Sequence, residues 1–392
     1  MRGLFRRNRK LFLFLVVANL LMAFGHRIWQ AVFDNFAVER LAVNADAIGW
    51  IQSAREVPGL IALAVGFLVL VVSELRLISI SLILLGAGIL FTGQATSVPM
   101  LIGATLVMSL GFHFFEPASS GILMMTAEEK DSAKMLGAFR GLGAFAGVLG
   151  MLIVLFVVRY IGYTNLFLMV GGVVIVGGLA LLLVGRMETH ELPTTRKVRL
   201  RKRYSVFYML AFLMGSRRHI FTTFAGFLLV KEFGVDLVTM VSLRLANTTI
   251  SALGYPLIGR LVDRIGERRI LSITFGSLIV VFLGYAFVKD VRVLYALFIL
   301  DNLLFGCNLA LTTYLRKISV SREELTSNLA AQQTINHVSA VILPVVGGVI
   351  WLQFGSQAPF LVGVGIAVVS LIVAQWIRIR GSGEPVEEPA IL

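Results

Sequence analysis

Arg27 and Asp34, Arg55 and Glu56, His113 and Glu116, Arg217 with Arg218 and His219, Arg244, Asp301, and Asn336 with His337 each interrupt a long apolar run. An ionisable side chain held at bilayer depth costs about 2.5–3.5 kcal/mol on insertion scales, so it demands a partner, water or a functional cavity. The residue types define two kinds of chemistry. A guanidinium offers a planar fork that fits a carboxylate or a phosphate, which makes Arg27, Arg55, Arg217 and Arg244, with Asn336 and His337, the candidates for binding a substrate. A buried carboxylate can take up and release a proton, which makes Asp34, Glu56, Glu116 and Asp301 the candidates for proton coupling. Six arginines (those four with Arg140 and Arg218) stand against these four acids, and the surplus predicts a positive cleft and a small, negatively charged organic substrate. The competing reading of any one of these combinations is an ion pair that fixes helix positions.

Other chemistries find less support. His113 and Glu116 share one helical face, but a catalytic zinc needs three convergent ligands and no H-E-x-x-H spacing occurs, so neither a metal-dependent enzyme nor a cofactor is expected. The single cysteine, Cys307, excludes an intramolecular disulfide and sits in an apolar run as a small buried hydrophobe.

The elements that must position these side chains are membrane helices. Hydrophobic residues make up 57% of the chain and charged ones only 15%, against about 25% in a soluble globular protein. The formal charge of +13 is gathered in short clusters between apolar runs, a pattern of membrane topology that excludes a nucleic-acid partner. Twelve apolar segments of spanning length begin near Leu11, Ile48, Ile78, Met100, Leu136, Asn165, Tyr204, Leu237, Ile270, Val293, Leu329 and Pro359. None alternates as a barrel strand would, so an all-α integral membrane bundle of twelve transmembrane helices is expected. The basic start from Arg2 to Lys10 leads into a run too long for a signal peptide and without a small-residue cleavage site, so it is read as the first span.

Basic residues set the orientation. Arg2, Arg6, Arg7, Arg9 and Lys10 precede helix 1, and Arg264, Arg268 and Arg269 follow helix 8, which places both termini in the cytoplasm of a cell whose inner membrane holds the protein. The hydrophilic link 188–203, with Arg196, Lys197, Arg199, Arg201, Lys202 and Arg203, divides two six-helix bundles, 1–187 and 204–380. The tail 381–392 reads as disordered. A faint internal repeat crosses the link: Arg55 precedes Glu74 by nineteen residues, and Arg244 precedes Asp263 by the same nineteen.

One segment is more specific. Gly259-Arg260-Leu261-Val262-Asp263-Arg264-Ile265-Gly266-Glu267-Arg268-Arg269 resembles the loop signature G-x-L-x-D-R-x-G-R-R of the major facilitator superfamily. The glycines permit a tight turn and close helix approach, while Asp263 can meet a helix N-terminus and Arg260, Arg264 and Arg268 can pair across a closed gate. The resemblance implies two pseudo-symmetric bundles, a central site lined by helices 1, 4, 7 and 10 with 2, 5, 8 and 11 beside them, and alternating access. Departures from the family pattern qualify the details. After helix 2 the corresponding stretch is Val71-Val72-Ser73-Glu74-Leu75-Arg76, with no glycine. Helix 4 has no arginine near Thr105, where many proton-coupled members carry one, and helix 5 lacks an exporter's proline although it has Gly143, Gly147 and Gly150. Pro344-Val345-Val346-Gly347-Gly348 in helix 11 leans toward efflux. The expected protein is therefore a monomeric secondary transporter of a small solute, with the proton as coupling ion and lipid as its other partner. The alternatives are a proton-coupled exporter of hydrophobic or cationic compounds, whose cargo Asp34, Glu116 and Asp301 would hold, and a non-transporting receptor or scaffold.

Overall fold

The structure is a computed structural model that describes residues 9–61, 72–126, 132–184 and 201–378. Arg2, Arg6, Arg7, Val71, the link residues Arg196, Lys197 and Arg199, and the tail from Gly381 lie outside the described residues.

In lipid, each backbone N–H and C=O must be satisfied within its own segment, and the apolar runs fold accordingly as helices. They are α1 Arg9–Leu41, α2 Ala45–Ile61, α3 Glu74–Gln94, α4 Val98–Thr126, α5 132–161 and α6 163–184. The second half supplies α7 Ser205–Lys231, α8 Leu237–Ile265, α9 Glu267–Phe287, α10 Val291–Phe305 resumed as Asn308–Ile318, α11 Arg322–Phe354 and α12 Ala358–Ala374. Only Gly162, at φ 68°, separates α5 from α6, because a glycine pays no Cβ penalty at positive φ. Among the described residues seven helical stretches, one of them running through α5 and α6, are apolar enough by length and composition to cross a membrane. α7 and α8 are not among them, since Arg217, Arg218 and Arg244 dilute the apolarity of any span-length window.

Each half has its own apolar interior. α3 packs on α4, α5 and α6, and α7 packs on α11 and α12. A run of buried rings fills the second half: Phe221 lies 5.1 Å from Tyr285 and Phe227 lies 5.4 Å from Trp351, centroid to centroid. The nineteen-residue repeat does not superpose on this architecture. Glu74 opens α3, yet Asp263 lies in the last turn of α8, and the acid that opens α9 is Glu267. The equal spacing arises from different helix registers, so it is not the mark of equivalent positions.

The halves meet most closely along α2 and α11. At Gly49 a Cβ would collide with the Pro344 carbonyl, and at Gly348 it would collide with backbone at Asp46 and Ala45, so only glycine allows the two helices to touch there. Gly49→Val should therefore force this seam apart at a cost of about 1–3 kcal/mol, the usual range for overpacking, read as a lower unfolding midpoint of the detergent-purified protein.

Candidate functional site

Among the described residues four side-chain bonds tie α1 and α2 to the second half. Arg244 Nη2 donates to Asp34 Oδ2 at 2.7 Å, Asn35 Nδ2 to the Val235 carbonyl at 2.9 Å and Ser53 Oγ to the Val341 carbonyl at 2.5 Å, while His337 Nδ1 meets Glu56 Oε2 at 3.2 Å. The first three lie toward the end of the bundle where α1 stops and α2 starts, here called the far end. The near end carries Arg9 and the Gly259–Arg269 turn. Toward the near end the interior widens, and the side chains of Glu116 and Arg140 are 58% and 72% exposed. The bundle is therefore closed at the far end and open at the near end.

Between the halves lie two adjoining cavities of about 330 and 440 Å³, which share His26, Gln30, Phe112, Glu116 and Arg218. Their linings come from α1, α2, α4, α5, α7, α8 and α11; α3, α6, α9 and α12 contribute nothing, and neither does α10, which the family resemblance had placed in the lining. Together they expose five arginines (Arg27, Arg55, Arg140, Arg218 and Arg244) and three carboxylates (Asp34, Glu56 and Glu116), which leaves the space positive.

The sequence-predicted residues divide sharply. Arg55 and Glu56 bond to each other, with Arg55 Nη2 3.0 Å from Glu56 Oε1. Asp34 is held by Arg244, whereas Glu116 faces Arg140 loosely at 3.9 Å. Arg27 lines the larger cavity and has no carboxylate within salt-bridge distance among the described residues. Asn336 and His337 line the smaller one. Arg217 and Asp301 line neither. Arg217 is fully buried inside the second half with its Nη1 2.8 Å from Asp301 Oδ1, so in this structure the pair expected at the site is internal to the bundle, away from both cavities. The arginine that does face the cavity is its neighbour Arg218, because successive residues of a helix point about 100° apart. Its guanidinium lies 4.3 Å from the centre of the Phe305 ring and has no acid partner among the described residues.

The gating turn is unlatched. Gly266, at φ 83°, ends α8 and leads into α9, and Arg260, Asp263 and Arg264 are exposed. Arg268 donates to Gln375 Oε1 at 3.2 and 3.1 Å, within its own half. The ion pair formed here is one that sequence reasoning missed, Lys317 Nζ to buried Glu267 Oε1 at 2.5 Å.

The histidines are the other surprise. The chain has five, and four of them, His26, His113, His219 and His337, line one cavity. They come from α1, α4, α7 and α11, so no local spacing announces them. The only available signal was that each lay in an apolar run.

The chain belongs to the major facilitator superfamily, whose sequence model matches residues 15–315 and again 206–391. The second match lies wholly within the second half. Among solved structures, a bacterial homologue of the human lysosomal transporter Spinster, in an inward-facing and occupied conformation, superposes with a TM-score of 0.76 at 14% identity, over 95% of this chain and 98% of that one. The nucleoside transporter NupG superposes at 0.73 with 15% identity over 94% of this chain and 99% of that one. No curated protein sequence is significantly similar to the chain. The chain is thus a multi-pass membrane transporter of this superfamily, with a fold suited to secondary transport by alternating access.

Proposed function

We propose that the chain carries a small organic anion, with protons as the coupling ion, as a monomer in a cell inner membrane with both termini cytoplasmic. The observation that supports the substrate class most is the surplus of cavity arginines, above all Arg27 and Arg218, which have no acid partner among the described residues. The rival reading, a cavity for lipophilic cations, relies on Asp34, Glu116 and Asp301. Two of these are already occupied, by Arg244 and Arg217, so one open carboxylate remains to hold a cation. The nucleoside named for one structural neighbour does not transfer at this identity, because a shared fold carries many substrates.

Alternating access then requires the far-end bonds to break while the near-end turn closes. The bundles 1–187 and 204–380 rock about the cavity. A proton on Asp34 removes the charge that holds Arg244, with Arg55 the next cation facing it, and so releases α1 from α8. As the near end closes, Arg260, Asp263 and Arg264 gain partners across the gap.

Two experiments test this reading. In a stabilisation screen of the purified protein, organic carboxylates and phosphates should raise the unfolding midpoint and load proteoliposomes under an inward proton gradient. Stabilisation by lipophilic cations alone would reject the anion assignment. Asp34→Asn should populate the far-open state: with Cys307 replaced and a reporter cysteine at Gln52, labelling by an impermeant maleimide from the far side should rise roughly tenfold, equivalent to about 1.4 kcal/mol of lost bonding between the halves. An unchanged rate would exclude Asp34 from the latch.

A further inference from the structure

Glu56, His113 and His337 bring one carboxylate oxygen and two imidazole nitrogens within 4.8 Å of one another. Glu56 Oε2 lies 3.2 Å from His337 Nδ1 and 3.9 Å from His113 Nε2. A tetrahedral zinc ion with bonds of about 2.0–2.2 Å holds its donor atoms about 3.4 Å apart, so side-chain movements of about an ångström would bring these three into a coordination shell. We propose that they form a binding site for one divalent transition-metal ion of the zinc type.

The surroundings prepare the donors. His113 Nδ1 sits 3.0 Å from the carbonyl of Ser109 and 2.9 Å from its hydroxyl. The carbonyl can only accept, so the ring proton resides on Nδ1 and the lone pair of Nε2 points at Glu56. A backbone carbonyl on the far nitrogen is the arrangement that fixes tautomer and orientation in metal-binding histidines. The Ser109 hydroxyl in turn donates to the Arg55 carbonyl. On the carboxylate, Arg55 donates to Oε1 from Nε at 3.3 Å and from Nη2 at 3.0 Å, so Oε2 is shared only with His337 Nδ1, and a bound ion would take the place of the proton between those two atoms.

All three donors are at least nine-tenths buried at the wall of the smaller cavity, so the fourth position opens into that space. His219 lines the same space, and its Nε2 has no partner among the described residues. The neighbouring Arg55 and Arg218 repel a dication, which places the affinity below that of a closed four-cysteine site and selects borderline ions with imidazole preference over Mg²⁺ or Ca²⁺.

His337 belongs to α11, while Glu56 and His113 belong to α2 and α4. A bound ion would therefore staple the two halves in the near-open state and inhibit transport, unlike a cargo ion that must leave. The binding test does not depend on the anion reading: it reads metal occupancy directly, and a cavity that carries no anion can still bind the ion.

The test is Co²⁺ titration of the full chain purified without a polyhistidine tag, read by visible d–d absorption. One equivalent per chain should give the intense spectrum of a tetrahedral site, Zn²⁺ should displace it, and His113→Gln or His337→Gln should weaken binding more than about a hundredfold. An octahedral, aquo-like spectrum, or binding indifferent to both substitutions, would overturn the proposal. Should either variant fail to fold, X-ray absorption of the Zn²⁺-loaded native chain decides. Two imidazole ligands sustain the site, and fewer than two refute it.

Discussion

Arg218→Ala should reduce kcat/KM for anion transport by about 10- to 150-fold and leave the unfolding midpoint nearly unchanged. A hydrogen bond to a charged group contributes about 1.5–3 kcal/mol, and Arg218 is the cavity guanidinium that touches both adjoining spaces with no carboxylate to share it. No acid lies within salt-bridge distance of it among the described residues, and the nearest buried acids, Glu56 and Asp301, keep Arg55 and Arg217 as closer partners when it is removed. What the fold loses is its contact with the Phe305 ring, a small contribution on this scale. Arg218→Lys separates charge from shape: a lysine keeps the positive potential but lacks the fork, so activity between those of the alanine variant and the native chain marks bidentate recognition. The measurement is initial-rate uptake into proteoliposomes beside thermal unfolding of the same preparations. Full activity of Arg218→Ala would remove this residue from the substrate site.

How much of this site the sequence revealed depends on the range of the interaction. Helix positions follow from local composition, and most of the expected starts fall within four residues of the observed ones; Leu329, against α11 opening at Arg322, is the widest miss. Polar residues on that helix's first two turns concealed its beginning. The helices that face the cavity were readable in part, since an ionisable residue in an apolar run has few other places to go, but α10 with its Asp301 was expected there and lines neither cavity. The orientation of neighbours within one helix was not. Arg217 and Arg218 are indistinguishable as letters, yet one is sealed inside the second half and the other lines the cavities. Pairing was hidden for a different reason: Asp34 meets Arg244 across 210 positions and Glu56 meets His337 across 281, contacts created only when the halves come together. The four-histidine lining is the same case, because each residue alone is an unremarkable member of its own helix.

The consequence for Arg217 and Asp301 is a prediction of opposite kind to that for Arg218. Removing one partner of a buried ion pair leaves the other charge uncompensated and costs about 3–5 kcal/mol, so Arg217→Met or Asp301→Leu alone should sharply lower the yield of folded protein and its unfolding midpoint. Arg217 is the more demanding member. It is 0% exposed, and its Nε and Nη2 have no partner among the described residues, so the Asp301 contact at 2.8 Å is its principal compensation. The double variant Arg217→Met with Asp301→Leu replaces both charges by apolar side chains of similar bulk and should recover the native midpoint or exceed it, since apolar replacement of a whole buried pair is often neutral or stabilising. Neither residue lines a cavity, so the double variant should also keep its anion affinity. Size-exclusion profiles and unfolding midpoints of the three variants, with ligand stabilisation of the double variant, decide the matter. A double variant that folds but no longer responds to anions would return Arg217 to the substrate site and make the wall between it and the cavity a feature of the near-open state alone.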